Sequence, residues 1–62
     1  MELIFELKDA EEGGFWARAL GQSIFTQAET WEELRRNVLE AVQVHFAPLE
    51  RPDQILFVRV TP

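Results

Sequence analysis

Phe25-Thr26-Gln27-Ala28-Glu29-Thr30-Trp31-Glu32-Glu33-Leu34-Arg35-Arg36-Asn37-Val38-Leu39-Glu40-Ala41-Val42-Gln43-Val44 is the stretch whose reading decides the fold. It reads as the end of a strand, a short polar link and a capped helix. Thr30 followed by Glu33 is a capping-box pattern, in which the Thr hydroxyl accepts from a backbone N–H that the first turn leaves unpaired. Glu32 and Glu33 suit the positive end of the helix dipole. Leu34, Val38, Ala41, Val42 and His45, joined by Trp31 and Phe46, recur at three- and four-residue spacing. That stripe must lie on a sheet. Glu32, Arg35, Arg36, Glu40 and Gln43 fall on the wet side, with Glu32 and Arg36 spaced as a favourable pair. The helix ends before Pro48, which cannot continue it.

Working back towards the N-terminus, residues Glu2 to Lys8 alternate. Leu3, Phe5 and Leu7 point one way, and Glu2, Glu6 and Lys8 the other, as in a strand with one wet face. Ile4 interrupts the wet face, which hints that something covers part of it. Asp9 to Gly14 is a turn whose paired glycines permit positive φ. Phe15 to Leu20 is a second strand: Phe15, Ala17 and Ala19 share the face a helix can approach, and Trp16, Arg18 and Leu20 share the other. Gly21-Gln22-Ser23 turns the chain into a short third strand, Ile24 to Gln27, completing an antiparallel meander.

Beyond the helix, Ala47 to Asp53 is a loop with two prolines. Gln54-Ile55-Leu56-Phe57-Val58-Arg59-Val60 is the last strand, apolar at five of seven positions. A strand apolar on both sides reads as buried on both sides. One helix covers one sheet face only, so the other face calls for a second chain. The expected fold is α+β, a two-layer β-β-β-α-β arrangement with one helix on one face. Its last strand runs parallel to the first, in the order 3-2-1-4.

Sixty-two residues make one domain. A chain of this size buries only about 60% of its unfolded surface. It has no cysteine to supply a disulfide or a thiolate metal site, and its one histidine, His45, cannot build a zinc site alone. Self-association is the remaining common source of stability, so a homodimer or homotetramer is expected. No apolar run approaches the roughly 20 residues that span a bilayer. The start, Met-Glu-Leu-Ile-Phe-Glu, lacks a basic region of the secretory kind. No membrane contact and a cytoplasmic location are the expectation. The formal net charge of −5 disfavours direct DNA or RNA binding and favours a basic protein partner.

The usual chemical constellations are missing. Ser23 is the only serine and lies in a turn, without a nucleophile elbow. Gly13-Gly14 lacks the Lys-Ser/Thr that follows in a phosphate loop. Asp9, Glu11 and Glu12 read as a solvated hairpin tip rather than a cation site, His45 as a helix-end histidine rather than a base, and Glu2 and Glu6 as a strand's polar face. No enzyme activity, cofactor or metal is expected. The candidate site is instead a partner or oligomer interface: Ile4, Trp16, Arg18, Leu20 and Phe57. Trp and Arg are the types enriched in interface hot spots.

The pattern Glu12-Gly13-Gly14-Phe15-Trp16-Ala17, then Leu20-Gly21, then Phe25 through Leu34 with Asn37 and Glu40-Ala41-Val42, resembles the HicB-type antitoxin family, and does so over nearly the whole chain. The resemblance implies a single HicB-like domain over residues 1–62, with a βββαβ fold like a truncated RNase H that lacks working catalytic carboxylates. It also implies an acidic module that masks a small basic HicA-type toxin, which cleaves mRNA using a histidine. Ala28 stands where the family has glycine, and the proline-rich stretch before the third strand is reduced to Leu20-Gly21. The sequence stops at Pro62, directly after the fourth strand, so the DNA-binding domain of full antitoxins, and autoregulation through it, are not expected of this chain. The alternative reading is a solitary homo-oligomeric module, also non-enzymatic.

Overall fold

Four strands and one long helix follow the expected order in the computed structural model, which describes residues 1–60; Pro62, where the sequence ends, lies outside them. The strands are β1 (Glu2–Asp9), β2 (Phe15–Ala19), β3 (Phe25–Ala28) and β4 (Gln54–Arg59), and the helix is α1 (Trp31–His45). The sheet order is β3-β2-β1-β4, with β1 antiparallel to β2, β2 antiparallel to β3, and β4 parallel to β1. The α+β architecture and the order 3-2-1-4 are therefore as the sequence reading has them. Among the described residues no helix is long and apolar enough to cross a membrane.

The local reasons are visible. Gly13 and Gly14 both take positive φ in the first hairpin, at 100° and 81°. Gly14 is constrained twice, because a Cβ there would stand 2.7 Å from the Ala28 carbonyl oxygen of the neighbouring strand. Thr30 is the N-cap, and its Oγ1 accepts from the Glu33 N–H at 3.1 Å. Only that half of the capping box is formed among the described hydrogen bonds. Ala28 leads into the cap with ordinary backbone angles, since no residue other than glycine has positive φ among those described. The proline loop after the helix holds a short 3-10 turn, Pro48–Glu50.

The core is Leu3 and Phe5 of β1, Ala17 and Ala19 of β2, Ile24, and Leu34, Val38 and Val42 of α1. Two alanines on β2 let the helix come close, and the buried helical residues fall at every fourth position, one stripe wide. Two expectations change here. His45 does not belong to the buried stripe: it is exposed in the last helical turn, where Nε2 meets Gln22 Oε1 at 3.1 Å. The last strand is not buried on both sides either. The helix packs over β2 and β3, and β4, at the far edge, is only half-buried at Ile55 and Leu56 and exposed at Phe57 and Val58.

Candidate protein-interaction face

The sheet face away from the helix is built by the alternate residues of each strand. The register sets Ile4 beside Leu56, Glu6 between Arg18 and Val58, Lys8 beside Trp16, and Arg18 beside Phe25. Leu20 follows β2, and its N–H donates to the Ile4 carbonyl at 2.9 Å, so it joins the same end of this face. The result is an apolar surface of Ile4, Trp16, Leu20, Phe25, Leu56 and Val58. Phe25 is 60% exposed and Val58 50%, which is high for apolar side chains in a sheet. Trp16 and Phe25 lean on each other with ring centroids 5.7 Å apart.

Arg18 Nη2 donates to Glu6 Oε1 in the middle of this surface. A cross-strand pair of this kind stabilises by about 0.2–1 kcal/mol. Its larger effect is electrostatic neutrality at the centre of the face. Glu2, Glu6, Lys8 and Arg18 are its only charged residues in the strands, two of each sign. The negative charge of the chain therefore lies elsewhere, on the loops and the helix.

Of the five residues singled out from sequence, Ile4, Trp16, Arg18 and Leu20 come together here. Phe57 does not. It pairs in register with Phe5, so its ring lies on the helix side, 6.2 Å from the Phe5 ring. Phe25, Leu56 and Val58 complete the face and were not among the five. Strict alternation within β4 places Leu56 and Val58 with Ile4 once its register with β1 is known. Phe25 adjoins Ile24, and two large apolar neighbours leave the phase of a short strand open.

The other groups weighed as chemistry have ordinary partners. Asp9 binds Arg59, whose guanidinium also lies 4.9 Å over the Trp31 ring. Trp31 stacks on Phe15 at 3.9 Å, which pins the start of the helix to the sheet. Asp53 accepts from the Met1 amino group, which holds its carboxyl below the usual value of 3.8. Glu32 and Arg36 are not among the described ion pairs. Among the described residues no group of three or more His, Cys, Asp or Glu is placed to hold a metal ion.

Fifty residues of the chain, 81% of it, are 50% identical to a UPF0150 protein of Archaeoglobus fulgidus and span 74% of that protein. Forty-five residues, 73% of the chain, are 42% identical to a UPF0150 protein of Thermotoga maritima and span 64% of it, just under two thirds. No protein-family model matches the sequence. No solved structure matches it.

Proposed function

The chain belongs to the UPF0150 family, and from that premise we propose that it is a protein-binding module of the HicB antitoxin type, self-associating and non-enzymatic, that sequesters a small basic HicA-type mRNA-cleaving toxin. The observation that carries this reading is the uncovered sheet face. Contiguous exposed apolar surface on a small chain marks an interaction site, and Trp16 and Arg18 at its centre are of the hot-spot types. The residue pattern from Glu12 to Val42 supports the choice of partner. So does the charge of −5, which attracts a basic protein at long range and leaves the contact itself to apolar residues.

A second reading has its own support. Because the charges of the face cancel, two such faces can meet without repulsion. That favours a solitary homo-oligomeric module, with a homodimer or homotetramer as its working form. Both readings keep the protein in the cytoplasm.

Co-expression separates the two. A small basic HicA-type protein encoded beside this gene should be toxic alone and harmless with it, and the two should co-purify. Toxicity unrelieved by co-expression, with no complex recovered, would leave the solitary module.

A further inference from the structure

The two edges of the sheet are finished differently. At the β3 edge the strand is four residues long. Asn37 Nδ2 there donates to the Gln27 carbonyl at 3.3 Å, occupying a group that an added strand would need. The β4 edge has six residues, Gln-Ile-Leu-Phe-Val-Arg, with no proline or glycine. Its single charge, Arg59, is held by Asp9 of the same chain. Long apolar edges without such protection are the ones that pair with another strand.

The ladder shows which backbone groups are free. Leu20 N–H donates to the Ile4 carbonyl, so the even residues of β1 bond to β2 and the odd ones to β4. Val60 N–H donates to the Leu7 carbonyl at 2.8 Å, so the even residues of β4 turn inward. Ile55, Phe57 and Arg59 therefore direct their N–H and C=O groups out of the sheet.

We infer that β4 pairs antiparallel with β4 of a second copy, about a two-fold axis through Leu56 perpendicular to the sheet. Two four-stranded sheets become one of eight strands. This rests on the self-association proposed above and names its surface. A second copy fits better than an unrelated segment for three reasons. First, an added strand must be apolar on both faces, as β4 is. Second, the register through Leu56 sets Asp53 opposite the partner's Arg59, each already paired within its own chain, so no like charges meet at the seam. The next symmetric register, through Phe57, would set Arg59 against an apolar Ile55. Third, α1 leaves a cavity of about 210 Å3 beside β4, lined by Leu7, Trp31, Leu34, Arg35 and Phe57. Ile55 and Phe57 of the second copy arrive at its mouth, on the helix side. Pairing also lays the two uncovered faces edge to edge, with Leu56 and Val58 of both copies along the seam.

The absence of native cysteine makes Leu56→Cys a clean reporter. Opposed residues of a non-hydrogen-bonded antiparallel pair have Cα atoms about 4.5 Å apart, within reach of a disulfide. Mild oxidation should convert Leu56→Cys to a covalent dimer within minutes and leave Leu20→Cys, on the same face but far from the axis, mostly uncoupled. Phe57→Lys should halve the mass measured by light scattering while the circular dichroism spectrum is retained. A Leu56→Cys chain that couples no faster than Leu20→Cys would overturn the edge pairing. So would an assembly that survives Phe57→Lys and is lost in Trp16→Ala, although self-association through the open face would then stand. An unmutated protein that is monomeric would overturn both.

Discussion

Trp16 and Phe25 lean together on the uncovered side of the sheet, their ring centroids 5.7 Å apart and their planes tilted by 31°. Neither belongs to the buried core. They lie on strands that the helix covers from the other side, so the fold presents them outside its main core. Trp16→Ala combined with Phe25→Ser should therefore leave the circular dichroism spectrum intact. It should weaken partner binding by about 2 kcal/mol or more, the scale of an interface hot spot. Titration calorimetry against the basic partner gives the affinity, and thermal melts of the same samples give the stability.

Gly14 should be far less replaceable than Gly13. Both have positive φ, which costs a residue with a Cβ about 1–2 kcal/mol. A Cβ at Gly13 meets nothing within 4 Å, whereas one at Gly14 meets the Ala28 carbonyl oxygen at 2.7 Å. Gly13→Ala should lower stability by about 1–2 kcal/mol and Gly14→Ala by distinctly more, as read from urea denaturation midpoints.

Thr30→Ala removes the acceptor of the Glu33 N–H at the start of the helix. The loss should be about 1 kcal/mol. In a domain this small that lowers Tm by about 4–8 °C. Thr30→Ser should restore most of it.

The order of the sheet was legible because each strand of the meander has a clear phase or a clear turn. β1 alternates over seven residues, Gly13-Gly14 marks the reversal, and the capped helix supplies the crossover that returns β4 parallel to β1. Side-chain direction was less legible at three places, each for a physical reason. β4 is apolar at four consecutive positions, so Phe57 could be assigned to a face only through its register with Phe5. Ile24 and Phe25 offer two equivalent phases to a four-residue strand; tertiary packing chose Ile24 for the core and turned Phe25 out. His45 continues the helical periodicity, but it falls in the last turn, beyond the residues that the sheet buries. Four of the five candidate interface residues could thus be placed on one face by alternation alone, and the completing three needed the pairing.

Asp53 gives a pH dependence of known sign. Its carboxyl is held below 3.8 by the hydrogen bond from the Met1 amino group and by the charge of that group. A carboxyl lowered on folding stabilises the folded state above its unfolded value, and that contribution is lost as pH falls through its folded value. Denaturation midpoints of the wild type and Asp53→Asn should therefore differ at neutral pH and converge only below pH 3.8. Convergence at higher pH would show that the Met1–Asp53 contact does not form in solution.

The most direct test of the central claim is the affinity of the purified chain for a small basic HicA-type protein encoded beside its gene, measured with and without Trp16→Ala and Phe25→Ser. A tight complex that suppresses RNA cleavage by the partner, and that is lost in the double variant, is the expected result. A partner that cleaves RNA equally well with and without the chain would contradict it.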